Sequence, residues 1–431
     1  MHLPIRLLGK PASLGLAFLL LFSAPLVGSA ETVSTTQPSL AINFGIVASG
    51  FNAGNILMYA GTDLSVFGSQ VLPMDGSLYA INTHVELFAA ISTLYGGNGQ
   101  TNFRVPDFRG GLTPIGVPAG TFVGTTSGSP TASITFANLP PSVGGSGTPA
   151  SNQQPSMALN YFITSDGTRP LGSTAGRAGG LRSPYTGQIG ISAGPGLPSQ
   201  TMAANGQQIR IMDNFELFAA VGYTYGSNGS TNFAVPDLQG RSPIGPGQGS
   251  GLSYRELGVA VGSQEVILDA SNVPPSLGSG APYDGMQPAL PLNYLIATVG
   301  LLPDSNTGPD DSPYLGQIIL FAGTSAPDGW AYCEGQTLTI ADNADLFSLL
   351  GTTYGGDGTF DFALPDLRGR IAVDAGNGLS VGDYLGSEDR YVPASVPESS
   401  TNLLLALAAL TIFIAHRRSP RAFAGKNISA A

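Results

Sequence analysis

Three carboxylates crowd one short stretch of this 431-residue chain. In YGGDGTFDFALPDLRG, Tyr354 to Gly369, the side chains of Asp357, Asp361 and Asp366 are the hard oxygen ligands that a calcium ion takes. The stretch occurs twice more, as YGGNGQTNFRVPDFRG (Tyr95 to Gly110) and YGSNGSTNFAVPDLQG (Tyr225 to Gly240). Asn98, Asn102, Asp107 and Asn228, Asn232, Asp237 stand at the corresponding places, so one carboxylate survives in each. Only the third version is a candidate calcium site. The competing reading makes all these residues turn formers, since Asn and Asp tolerate left-handed backbone and bond their own chain. Asp107, Asp237 and Asp366 each follow a proline, with Arg109, Gln239 and Arg368 two residues on, and read as turn caps or partners of a nearby arginine.

Other chemistries are poorly supplied. The glycines follow a helix instead of preceding one and no G-x-x-x-x-G-K-[ST] is present, so a phosphate cradle is not expected. The histidines are His2, His84 and His416, and His84 is replaced by Asn214 and Asn343 in the later copies, which leaves no nucleophile–base pair repeated across them. One acid repeated without a second at fixed spacing is not a glycosidase pair. Cys333 and Trp330 read as buried packing, and one cysteine with one histidine between the chain ends cannot build a zinc site. No catalytic residue, resident metal or cofactor is expected beyond the calcium candidate.

The elements that must hold these residues recur every 129 or 130 residues. GNILMYAG (54–61), GQIGISAG (187–194) and GQIILFAG (316–323) open the copies as buried strands. A short helix follows. Thr83 with Glu86, Asp213 with Glu216 and Asp342 with Asp345 predict capping boxes at its start. Leu87, Phe88 and Ile91, with Leu217, Phe218, Val221 and Leu346, Phe347, Leu350, predict an apolar stripe facing a sheet. Gly96, Gly226 and Gly355 are expected to end the helical region. Two intervening segments also match, NLPPS with QPSMALNYFI and NVPPS with QPALPLNYLI, and LGSEDRYVPASVPES (385–399) looks like a decayed third.

The pattern GQI..FAG..APDGW..C.GQ, an LF-containing helix, then TYGGDG...F.LPDLRGR resembles the phage tail collar domain, also found in the bacterial microcystin-dependent protein family. Gly316 to Arg370 matches throughout, whereas the first two copies lack the Trp and the Cys. The resemblance implies an α+β, β-rich fold of three tandem collar-like modules, each of short strands plus one short helix. It implies no catalytic residues, and by analogy with tail fibres a homotrimer. The expected organisation is module 1 at 54–110, a linking segment at 111–183, module 2 at 184–241, a second link at 242–312, module 3 at 313–370 and a truncated link at 371–395. The His-x-His metal motif of related fibres has no counterpart at NLPPS and NVPPS.

The chain ends read as addresses. Residues 1–30 combine Arg6 and Lys10, the apolar LGLAFLLLF and a small-residue cleavage site, as a signal peptide does. Residues 396–418 run VPESS, an apolar stretch from Leu403 to Ala415 and Arg417-Arg418, and this resembles a PEP-CTERM-type sorting signal with a transmembrane segment. Ser399 stands where that motif has its second proline. Between the ends lie 27 acids and 11 cations, all arginine, a balance that excludes nucleic acid as a partner. The expectation is an exported, non-enzymatic repeat protein, anchored in the membrane through its C-terminus and then placed at the cell surface or in an extracellular matrix. Its expected partners are a sorting protease and a surface glycan. The alternatives are an enzyme acting on extracellular polysaccharide and a phage tail fibre component.

Overall fold

The computed structural model describes residues 31–50, 52–109, 111–168, 184–273, 281–303, 312–376 and 378–393. The expected signal peptide and sorting segment lie outside them. Among the described residues the fold is β-rich with short helices, and no helix is long and apolar enough to cross a membrane. Ten strands and three helices build the shared core. In chain order these are β1 (Ser39–Val47), β2 (Ile56–Tyr59), α1 (Val85–Ile91), β3 (Thr113–Gly116) and β4 (Ser156–Thr164). Then come β5 (Gln188–Ser192), α2 (Phe215–Val221), β6 (Ser242–Ile244), β7 (Ala289–Pro291) and β8 (Asn293–Ala297). The series ends with β9 (Gln317–Phe321), α3 (Ala344–Leu350) and β10 (Ile371–Asp374).

Each unit begins with a hairpin. A lead strand from the segment before the module pairs antiparallel with the module's opening strand, β1 with β2, β4 with β5 and β8 with β9. An asparagine at one position of each lead strand fixes the hairpin. Asn43, Asn160 and Asn293 donate their side-chain amides to the carbonyls of Gly61, Gly194 and Gly323 at 2.6, 2.8 and 2.7 Å. The first lead segment, QPSLAINFGI from Gln37, is thus a third instance of the linking-segment motif, and it precedes residue 54. The segments between modules supply core strands.

The units then close on one another. The opening strands pair antiparallel in a cycle, β5 with β9, β9 with β2, and Asn55 of the first unit with Ser192 of the second. Each exit strand crosses to the next unit and lies parallel to its lead segment, β3 on β4 and β6 on β7, the piece just before β8. The last exit strand, β10, returns to the first lead strand, with Ser39 opposite Ile371 and Ile42 opposite Asp374. The result is a ring of pseudo-threefold symmetry made by one chain.

The helices sit under this ring as the stripe predicted. Leu87, Ile91, Leu217, Val221, Leu346 and Leu350 are buried in the central cluster, and Phe88, Phe218 and Phe347 pack tilted on Phe103, Phe233 and Phe362 at 5.5, 5.3 and 5.5 Å. Those three partner phenylalanines are fully buried, each worth about 1.5–3 kcal/mol relative to an exposed ring.

Both helix ends differ from expectation. The N-caps are His84, Asn214 and Asn343, without a side-chain capping bond, because 310 turns at Ile81–Thr83 and Ile211–Asp213 displace the first two helix starts by one residue. The predicted capping boxes do not form. The helices end at Ile91, Val221 and Leu350, where Ser92, Gly222 and Gly351 take φ of 49°, 57° and 53°. Gly96, Gly226 and Gly355 close the following turn, donating to Thr93, Tyr223 and Thr352.

Candidate functional site

The acidic cassette is a backbone-directed turn. Asp357 Oδ1 accepts the N–H groups of Thr359, Phe360 and Asp361 at 2.8, 2.7 and 3.0 Å, and Asp361 Oδ1 accepts that of Asp357 at 3.0 Å. Asn98 makes the same three bonds to Gln100, Thr101 and Asn102, and Asn102 accepts from Asn98. Asn228 does likewise with Ser230, Thr231 and Asn232. A carbonyl and a carboxylate oxygen serve equally, so copies differing in charge share one conformation. The bonds from Phe360, Asp361 and Thr359 hold the Asp357 carboxyl below its ordinary range.

Asp366 is engaged elsewhere. It accepts from Arg368 Nε at 2.9 Å and pairs with Arg370 at 3.4 Å. Asp107 pairs with Arg109 at 2.7 Å and Asp237 with Arg241. In every copy Oδ1 also accepts the N–H two residues on, from Arg109, Gln239 and Arg368, each at 3.2 Å. Among the described residues, no group of three or more His, Cys, Asp or Glu gathers where it could hold a metal ion.

The tyrosine that opens each cassette reaches into the neighbouring unit. Tyr95 donates its hydroxyl to the Ala193 carbonyl at 2.7 Å, Tyr225 to Ala322 at 2.8 Å, and Tyr354 to Ala60 at 2.7 Å. Three like bonds run in one direction round the ring. Burial pushes all three phenols well up, so they stay protonated donors.

A second cycle lies on the axis itself. Gln37 N–H donates to the Gln154 side-chain oxygen at 2.7 Å, Gln154 N–H to Gln287 at 3.2 Å, and Gln287 N–H to Gln37 at 2.9 Å. All three glutamines are buried. Beside them lies the buried Arg390, which donates to Asn152 Oδ1 at 2.7 Å and the Thr35 carbonyl at 2.6 Å. Its strand, Asp389–Arg390, pairs with Tyr283–Asp284 as Glu265–Val266 pairs with Ala150–Ser151. The segment from 385 is therefore a third repeat as far as it is described.

The three junctions are not identical. Gly116 and Gly245 lie against the next turn so closely that a Cβ would stand 2.0 Å from the carbonyl oxygens of Leu238 and Leu367. The third junction has Asp374 there, and the first copy carries one residue more than the others between its Pro-Asp pair and its exit strand. Asp374 is buried and accepts Phe44 N–H at 2.9 Å. Burial, with Asp107 and Asp75 nearby, raises its carboxyl to about 7.

The remaining candidates have structural places. His84 sits half-buried at the start of α1, its ring edge-on to Tyr79 and its Nδ1 2.8 Å from Thr83 Oγ1. Cys333 and Trp330 are buried, and burial pushes the Cys333 thiol well up, away from nucleophilic use. The glutamine and tyrosine cycles escaped sequence reasoning. Their signal was the Gln-Pro pair at 37, 154 and 287, which becomes visible once the segment before residue 54 is aligned with the links.

Comparison with known proteins agrees with this reading of the repeats. The profile of the family described as Phage Tail Collar Domain matches the chain three times, at residues 54–113, 187–243 and 316–372. The Short tail fiber protein gp12 of Enterobacteria phage T4 is 37% identical over 65 residues, which cover 15% of this chain and 12% of that protein. The match thus spans about an eighth of the curated relative's length. No solved structure matches.

Proposed function

We propose that this protein is a non-enzymatic, structural or adhesive component of phage-tail type that carries its threefold assembly within one chain. The observation that carries the proposal is the glutamine cycle. Its three members lie 117, 133 and 250 residues apart, and each satisfies the next. In the homotrimer that tail-fibre analogy suggests, three chains would supply these positions. Here three units of one chain occupy them, so the working particle is a monomer. The collar matches and the tail-fibre relative support a structural role, and the engaged cassette carboxylates give no support to hydrolysis.

Placement outside the cytoplasm belongs to the same proposal. It rests on the export and PEP-CTERM-like sorting segments and on the kinship that the third module suggests with exported microcystin-dependent proteins. A sorting protease would then process the segment at 396–418, and the surface or matrix would receive the ring.

Light scattering coupled to size exclusion on residues 31–395 tests the assembly, with the mass of one chain expected. A mass of three chains would refute the intramolecular trimer. Fractionation with mass spectrometry of the mature termini tests placement. An intact end at Ala431 would defeat the processed anchor. The tail-fibre relative favours a second reading, a virion component, and recovery of the protein in purified phage particles instead of a membrane or culture fraction would establish it.

A further inference from the structure

The pseudo-threefold ring has one pole that departs from its own symmetry. The opening strands form a triangle whose inner face covers the central core. The outer face divides into three sectors, each built from corresponding positions. In one sector Tyr59, Phe67 and Tyr314 stack edge to face at 5.1 and 4.9 Å over Leu57. In the next, Phe321, Trp330 and Tyr185 cover Ile319, with Tyr185 and Trp330 at 6.5 Å. Each cluster draws one tyrosine from the preceding unit and plugs its sector with aromatic area.

The third sector has none of these plugs. Ser192 stands at the position of Tyr59 and Phe321, Asn52 at that of Tyr185 and Tyr314, and Thr201 at that of Trp330. Gly190 replaces Leu57 and Ile319, and Thr164 replaces Val47 and Ala297. These substitutions leave a cavity of about 100 Å³, lined by Asn52, Phe162, Thr164, Gly190, Gln200 and Thr201 among others. It opens toward the exposed Ser199 and Gln200.

Two observations mark the cavity as more than a packing defect. Thr164 is 1% exposed, and its hydroxyl is buried with no hydrogen-bond partner, a costly state for a polar group. Gln200 holds φ at +61°, where module 3 has Gly329 at +83°. A side chain in left-handed backbone is strained, and such strain gathers at ligand sites.

We propose that this third sector binds a neutral sugar ring, seated where the other two sectors hold their own aromatic side chains. The Phe162 ring lies directly against Gly190, close enough to exclude a Cβ there, and provides the apolar floor. The amides of Asn52 and Gln200 and the hydroxyl of Thr201, which already donates to the Pro198 carbonyl at 2.6 Å and keeps its lone pairs, supply donors and acceptors around it, with the Thr164 hydroxyl buried in its wall. A pyranose presents this combination, an apolar face with a rim of hydroxyls. Among the described residues no Lys, Arg or His lines the cavity, which favours a neutral ligand over an anion. Among the described lining residues Asp166 is the one carboxylate, half of the pair a glycosidase uses, so the proposal is of binding and not of cleavage. The proposal deepens the adhesive reading above and rests on it for its biological meaning. The binding test is independent of where the protein resides.

Saturation-transfer NMR on the intact ring, with free hexoses in one arm and methyl hexosides in the other, tests it. Transfer to either supports the site. Methyl hexosides binding as well as free sugars identifies the end of a glycan chain, and binding of free hexoses alone identifies a soluble sugar. Thr201→Trp, which restores the module 3 plug, is expected to abolish transfer. Thr164→Val, which restores the module 1 residue, keeps the shape and removes the partnerless hydroxyl. It is expected to fold at least as stably and to bind more weakly. No transfer from any hexose, binding only of a charged probe such as glucuronate, or unchanged binding in both variants would overturn the proposal.

Discussion

Gln287 donates its backbone N–H to the side-chain oxygen of Gln37 at 2.9 Å, across 250 residues of chain. That bond makes the first and third units neighbours, and with its two counterparts it turns a linear array into a ring. A linear array would leave the last exit strand without a lead strand to pair with. The closed one gives β10 the first lead strand as its partner.

Replacing Gln37, Gln154 or Gln287 by Ala leaves a buried N–H without its acceptor and opens a small cavity. The expected loss is about 2–4 kcal/mol at each position. Urea unfolding of the three variants should give similar losses, and the pair Gln37→Ala with Gln287→Ala should be non-additive. A large loss at only one of the three would show that the cycle does not act as a unit.

Tyr354→Phe removes the hydroxyl bond to Ala60 and leaves that carbonyl buried. The expected cost is about 1–3 kcal/mol, with like values for Tyr95→Phe and Tyr225→Phe. Because Tyr354 spans the junction between the last unit and the first, its variant should also become the most sensitive to proteolysis near residues 371–393. Equal sensitivity in all three variants would contradict a distinct closing seam.

Asp374 makes that seam responsive to pH. Its folded value, raised to about 7, lies above the ordinary 3.8. The folded state therefore holds its proton more tightly than the unfolded chain. Its stability is fully present below about pH 4 and is lost as pH rises through 7. The span of about three units sets an upper limit of about 4 kcal/mol. Asp374→Asn keeps an oxygen for Phe44 N–H and should flatten the decline between pH 4 and 7 in thermal melts. An unchanged pH profile in that variant would remove Asp374 as the cause.

Asp357→Asn with Asp361→Asn converts the third cassette to the chemistry of the first. Since Asn98 and Asn102 already make the same turn, the melting temperature should shift little, and calorimetric titration of the wild-type protein with calcium should give no heat. A calcium heat that disappears in the double variant would restore the metal site.

The repeat period, the apolar helix stripe and the buried Phe103, Phe233 and Phe362 were legible because they are local patterns of side-chain type. The turn role of Asn98, Asn228 and Asp357 was legible for the same reason, since its bonds reach no further than four residues. The helix ends were less so. Ser92 takes the same conformation as Gly222 and Gly351, so no one residue type announces the stop.

What the sequence determined by itself is the unit: a strand, a short helix, a glycine-rich turn and an exit strand, made three times. What only the tertiary structure decided is how the units meet. Strand pairing joins backbone groups that every residue carries, so nothing in Ile371–Asp374 names Ser39–Ile42 as its partner. Closure also depends on distance, because Gln37 and Gln287 become neighbours only after three units have each turned through a similar angle. The open sector at Asn52, Ser192 and Thr201 follows the same rule. Asn52 lies 140 positions before Ser192 in the chain, and the shared loss of aromatic area appears only where the ring brings them together.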